Sequence, residues 1–170
     1  LIVTVDSAVL LHLIDPTIPA RAGPDGIVPD RCSDRINHFI DQLSKQGGRV
    51  IVPTPVLAEL LVKADHAGPD WLNTFKGRKA IQVADFDERA AIECAALARA
   101  RSQRSRTGTR AKAKFDEQIV AIAQVHRSEI ILSDDGDIEK LAPKNMKVRG
   151  VSSLELPPQA AQSELFDDEA

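Results

Sequence analysis

Apolar residues along the chain fall into two alternating patterns: short continuous runs, and longer stretches with apolar positions three and four apart. The continuous runs are Leu1–Val5, Arg49–Pro53, Ile81–Val83, Ile130–Leu132 and Lys147–Val151. Short, β-branched and bounded by turn residues, they read as strands, and the wholly apolar ones as strands buried on both faces. Between them the helical spacing predicts helices over Ala8–Ile14, from Ser33 to the Gly47-Gly48 pair, from Thr54-Pro55 through Val56–Leu61, over Asp70–Phe75, and over about 88–103, 112–127 and 136–142. Ser7, Ser33, Thr54 and Asp85 or Asp87 are the expected caps. Strands separated by helices predict an α/β fold with a mostly parallel sheet of about five strands. Right-handed crossovers then set the strand C-terminal ends along one edge, where ligands bind near the reversal of strand order. Asp6 and the Ser133–Asp137 cluster follow directly from strands and are predicted to reach that edge.

Residues 15–32 break the alternation with four prolines and two glycines, an unusually long loop for a compact domain. At 170 residues, 43% hydrophobic and 28% charged, the chain has the size and composition of one globular domain. No apolar run approaches the roughly eighteen residues a membrane span needs. The opening residues lack a basic stretch followed by an apolar core, so no membrane association and a cytoplasmic location are expected. Cys32 and Cys94 have no ligand spacing, and His12, His38, His66 and His126 are scattered, which argues against a zinc site. The net charge of −3 is a sum of unlike parts. Residues 155–170 hold five acids and no base, leaving the body with 20 acids against all 22 bases. Within that body, residues 99–114 carry seven bases and no acid.

Carboxylates stand at four places where burial is expected. Asp6 ends an apolar strand, and Glu59 interrupts the run Val56–Leu61. Asp116 opens Asp116-x-x-Ile119-x-x-Ile122-Ala123, and Ser133-Asp134-Asp135-Gly136-Asp137 follows Ile130–Leu132. Singly, each has an ordinary explanation: Asp6 as a helix cap, Glu59 turned to solvent, Asp116 paired with nearby lysines, the Asp-rich run as a capping turn. Together they would repel one another unless a cation neutralises them. Hard oxygen donors without soft ligands select Mg²⁺ or Mn²⁺, ions that activate water and stabilise the leaving oxygen in phosphodiester cleavage. Neither a nucleophile–His arrangement nor a glycine-rich phosphate loop competes. Six aromatic residues without a Tyr suit a sugar cleft poorly. A haloacid-dehalogenase-type phosphohydrolase needs a second Asp two residues after the first, where this chain has Ala8.

At these residues the chain resembles the PIN-domain nucleases, and among them the VapC-type toxins of type II toxin–antitoxin pairs. The matching pieces are Val3–Leu10, Pro53–Leu61, Phe115–Ala123 and Ile131–Ile138, in the family's order, over residues 1 to 151. The resemblance implies a three-layer α/β/α domain over 1–153, and the Pro-, Gln- and acid-rich composition beyond it reads as a flexible acidic tail over 154–170. It implies catalytic, metal-holding or metal-organising roles for Asp6, Glu59, Asp116 and Asp135, with Ser133 and Asp137 in support and Asp134 at a variable position. It also implies a Mg²⁺- or Mn²⁺-dependent endoribonuclease, a homodimer, and inhibition by a cognate antitoxin. Two features depart from the family: Ile138 stands where an aromatic is usual, and the 15–32 loop is longer than in compact toxins.

The basic stretch ahead of Asp116, with Arg101, Arg104, Arg106, Arg110, Lys112 and Lys114, suits a phosphate backbone, since each contact releases condensed counterions. It has no stacking aromatics, so RNA recognition by backbone charge and loop shape is expected. The alternatives are a PIN nuclease of RNA processing or decay without an antitoxin, and a catalytically silent nucleic-acid-binding module.

Overall fold

Alternation along single strands sets the two sides of the structure, a computed structural model that describes residues 1–102 and 109–158. In the strand Arg49–Pro53 (β2), Val50 and Val52 join a cluster containing Val9, Leu10, Ile36 and Val56. The residue between them, Ile51, joins Ala84, Ala90 and Ile122 instead. A period of two in a strand covered on both faces produces this split. The neighbouring strand Ile2–Val5 (β1) buries Val3 and Val5 and carries one polar residue, Thr4. Its hydroxyl is satisfied by the Ser128 hydroxyl at 2.7 Å, so a fully buried oxygen costs little.

The remaining strands are Ile81–Ala84 (β3), Ile130–Leu132 (β4) and Lys147–Arg149 (β5). All pairings are parallel, in the order β3-β2-β1-β4-β5, with Thr4 level with Ile51 on one side and Ile131 on the other. The helices are Ser7–Ile14 (α1), Cys32–Lys45 (α2), Thr54–Ala64 (α3), Gly68–Lys76 (α4), Glu88–Ser102 (α5), Arg110–Val125 (α6) and Gly136–Leu141 (α7). Helix α1 packs on α2 and α3, and α3 on α4, while α6 packs along α5 and α7. This is the three-layer α/β/α arrangement expected from the resemblance. No helix among the described residues is long and apolar enough to cross a membrane.

The chain turns from α2 into β2 through Gly47 and Gly48. Gly47 takes φ +70°, and a Cβ at Gly48 would overlap the Leu43 side chain and lie 2.8 Å from the Leu1 carbonyl oxygen.

Several element ends differ from expectation, each for a local reason. Asp6 caps α1 in place of Ser7, its carboxylate accepting the Ser7 N–H at 2.6 Å. Helix α2 begins at Cys32 rather than after a Ser33 cap; Arg31 precedes it in the left-handed region, φ 48°. Pro53 holds the cap position of α3, and the Thr54 hydroxyl accepts the Phe86 N–H at 3.1 Å. Of the two candidates before α5, Asp87 does the capping, accepting from Ala90 N–H at 2.8 Å. Helix α6 starts two residues early because Thr109 caps it. After β5 the chain forms a 3₁₀ turn over Val151–Ser153. Leu154, the first residue of the expected tail, is buried in the core, and residues 159–170 lie outside the described residues.

Ile131 sits at 0% exposure in the strand next to the sheet's centre. Ile131→Ala is expected to lower stability by about 2–5 kcal/mol through the cavity it leaves. The check is a lower urea midpoint with an unchanged denaturant slope.

Candidate active site

Strand order places the site. Chain progression runs from β1 outward through β2 and β3, then returns to the other side of β1 with β4 and β5. The reversal lies between β1 and β4, and the crevice forms beyond their C-terminal ends. Asp6 follows β1 and Ser133 follows β4, and the ladder carries past both, with Asp6 N–H donating to Leu132 O and Ser133 N–H to Arg149 O. The Ser133 hydroxyl donates to Asp6 Oδ2 at 2.8 Å and accepts the Asp135 N–H at 3.0 Å. One hydroxyl thus locks the acid of β1 to the acid after β4. Asp135 in turn caps α7 by accepting the Asp137 N–H at 2.8 Å. The capping reading of both acids is therefore correct, and it accompanies their convergence.

Asp116 arrives from the other layer, on α6, at 5% exposure; Asp6 is at 6%. Lys112 stands one turn before it on the same helix. Its ammonium lies 3.3 Å from Asp116 Oδ2, 2.9 Å from Asp135 Oδ2 and 2.7 Å from Asp137 Oδ2. Lys140 takes the other oxygen of Asp137 at 3.1 Å. Three carboxylates from two elements thus converge on one cation.

Burial pushes the Asp116 carboxyl up to about 6, the Lys112 charge opposing and the Asp135 charge adding to it. Asp6 is also raised, first by burial and further by Asp135, against the hydrogen bonds from Ser133 and Ser7. Desolvation works against the Lys112 ammonium, but bonds to Asp137 and Asp135 hold it above the usual lysine range. Asp137, bonded by Lys112 and Lys140, falls below the usual carboxylate range. Among the described residues, no three Asp, Glu, His or Cys stand arranged as ligands of one metal ion. The donors around Lys112 are all hard oxygens, the chemistry that fits Mg²⁺ or Mn²⁺.

The other expected residues are distributed differently. Glu59 lies on α3, partly exposed, with no hydrogen bond or ion pair among the described residues. Lys114 is exposed on α6. Lys112 points into the acids. Arg104 and Arg106 lie outside the described residues, as do the side chains of Arg101 and Arg110.

Two acids next to the expected ones stand in surroundings the sequence did not reveal. Asp134 accepts the Val151 N–H at 2.8 Å, and a Cβ on Gly150 would meet Asp134 Oδ1 at 2.8 Å and Gly23 Cα at 3.2 Å. The Gly23 segment of the long loop therefore packs backbone to backbone against Gly150 in the bend after β5, with the Asp134 side chain from the β4–α7 turn beside both. Glu117 is 1% exposed, although it neighbours Asp116 on a helix otherwise rich in exposed charge.

The family model of the PIN domain matches residues 31–144, about two thirds of the sequence, and the chain belongs to that family. Its fold is shared with VapBC2 from Rickettsia felis, bound to a DNA fragment from their promoter: TM-score 0.60 at 14% identity over 88% of this chain and 98% of that one. DNA-bound VapBC from Salmonella typhimurium gives 0.62 at 14% over 89% and 98%. FitAcB from Neisseria gonorrhoeae gives 0.58 at 17% over 89% and 99%. No curated protein sequence matches the chain.

The Asp116 shift fixes a sign for the pH dependence of stability. Its folded value of about 6 lies above the 3.8 of the unfolded chain, so unfolding releases a proton between those values. Its contribution to stability therefore falls as pH rises from about 4 to about 6. In EDTA, Asp116→Asn should gain stability relative to wild type across that window and keep the gain at pH 7. Urea denaturation at pH 4 and pH 7 measures it; an unchanged difference would contradict the buried-carboxylate assignment.

Proposed function

We propose that this PIN domain is a Mg²⁺- or Mn²⁺-dependent endoribonuclease and the toxin of a toxin–antitoxin pair. The observation that carries the reading is the convergence of Asp116, Asp135 and Asp137 within 3.3 Å of one cation, joined to Asp6 through Ser133 at the β1–β4 crevice. Asp6, Asp116 and Asp135 would hold the metal. Glu59 would complete or orient that set from α3. Bound there, a divalent ion supplies a hydroxide-like water near neutral pH and positive charge for the leaving oxygen.

The chain's own groups supply the positioning. Ser133 engages Asp6 Oδ2, and the Ser7 N–H and hydroxyl both engage Oδ1, fixing the carboxylate plane and leaving Oδ2 a free lone pair. Asp135 is fixed in the same way by the Asp137 N–H. Burial of Asp6 and Asp116 excludes the water that would otherwise screen their charges. Asp137, carrying Lys140 on one oxygen, supports the rim of the site rather than its centre.

RNA is the proposed substrate, with the basic stretch of sequence from Arg99 to Lys114, whose last five residues belong to α6, as its backbone contact. The other proposed partners are a small antitoxin, in keeping with the VapBC and FitAcB complexes that share this fold, and a second copy of the chain. Exposed Val62 on α3 and Ile92 on α5 are apolar side chains that a partner would cover. The cytoplasm is the proposed location.

The test is cleavage of an RNA pool by purified protein with Mn²⁺. Asp6→Asn and Asp116→Asn should each lower the rate by about 100-fold or more, as loss of a metal-holding group does. Equal cleavage by the variants and wild type would overturn the site, and no cleavage by freshly purified wild type would overturn the activity.

A further inference from the structure

Four carboxylates, Asp6, Asp116, Asp135 and Asp137, crowd the crevice at the C-terminal ends of β1 and β4. Asp116, Asp135 and Asp137 each place an oxygen within 3.3 Å of a single point, and the Lys112 ammonium occupies that point. We propose that Lys112 is a resident counter-ion of the acidic centre, holding its carboxylates together until a divalent cation displaces it. The inference rests on the metal reading above and adds to it a residue and an order of events.

Three observations carry it. First, the contacts are made with side chains from two elements, α6 and the β4–α7 turn, so Lys112 bridges parts of the site that repel one another. Second, a monovalent ammonium and a divalent metal ion compete for the same lone pairs. An ammonium sits 2.7–3.3 Å from its oxygens here, whereas Mg²⁺ binds oxygens at about 2.0–2.1 Å. Both cannot lie among Asp116 and Asp135 at once. Third, the Lys112 side chain is 43% exposed, so it has a way out to solvent without repacking the core. Lys140, on the far oxygen of Asp137, has 71% exposure and touches neither Asp116 nor Asp135.

Lys140 therefore provides the control. Lys112→Met and Lys140→Met remove the same charge from the same neighbourhood, and only the first removes a competitor. Folding of each is confirmed by far-ultraviolet circular dichroism, and Mn²⁺ binding is read by calorimetric titration with no RNA present. Lys112→Met should bind Mn²⁺ about tenfold more tightly than wild type, the scale of losing several charge-assisted bonds. Lys140→Met should stay within about threefold, the scale of one exposed ion pair.

A second measurement uses the unaltered chain. Amine acylation followed by mass spectrometry should modify Lys112 slowly in EDTA and several-fold faster in Mn²⁺, while Lys140 changes little. Equal gains in affinity for both variants would reduce the effect to general electrostatics and overturn the proposal. So would Mn²⁺ binding by wild type without a gain in Lys112→Met, or without faster acylation of Lys112; in those cases the metal reading survives. Failure of wild type and Lys112→Met alike to bind Mn²⁺ would remove both.

Discussion

Mutual repulsion among Asp6, Asp116, Asp135 and Asp137 is the constraint around which the rest of the site is arranged. Two of these acids are almost fully buried, where charge is least screened and desolvation most costly. The chain meets the cost by three means. Ser133 and the Ser7 N–H bond Asp6, the Asp137 N–H bonds Asp135, and Lys112 neutralises the side facing α6. The imbalance that remains shows in Asp116, whose proton is retained to about pH 6. A centre left this electron-rich is chemically suited to a cation of higher charge than an ammonium.

The sheet makes that crowding possible. Parallel strands deliver their C-terminal ends to one edge, and the reversal between β1 and β4 opens the only gap in helix cover that such a sheet must have. Into it the backbone brings Asp6 and Asp135 at fixed register, since the β1–β4 ladder runs unbroken to Asp6 N–H and Leu132 O. The long loop then closes beside this turn, on the bend after β5. Gly23 and Gly150 meet without side chains between them, and Asp134 ties the turn to Val151. A segment that looks like an insertion in the sequence is thus part of the frame of the site.

Legibility varied with how local the physical signal was. Asp6 was readable because an acid directly after a strand of Ile2, Val3 and Val5 has few inexpensive uses. Asp116 was readable through the apolar positions at Ile119, Ile122 and Ala123, which fix the face of α6 that turns inward. Glu59 carried the same kind of signal on α3, yet in the structure it is partly exposed and unbonded among the described residues. The partners of Lys112 were hidden for a clear reason. In a run of seven bases its charge looked like one more phosphate contact, whereas its position four residues before Asp116 turns it onto the acids. Asp134 and Glu117 went unassigned because each differs from its neighbour only in direction along the backbone, and direction follows from packing.

The sequence by itself determined the order of elements, the parallel α/β class and the identity of most acids at the crevice. Those properties follow from periodicity and from the cost of burying charge, which act over a few residues. Tertiary structure alone decided which charges meet. The Ser133–Asp6 bond spans 127 positions and the Lys112–Asp137 pair 25, distances over which no local pattern carries information. The mildly acidic total of −3 is the same for any arrangement of its charges. Only the folding of α6 against the β4–α7 turn sets one of its bases among its acids, because electrostatic energy depends on separation in space and hardly at all on separation along the chain.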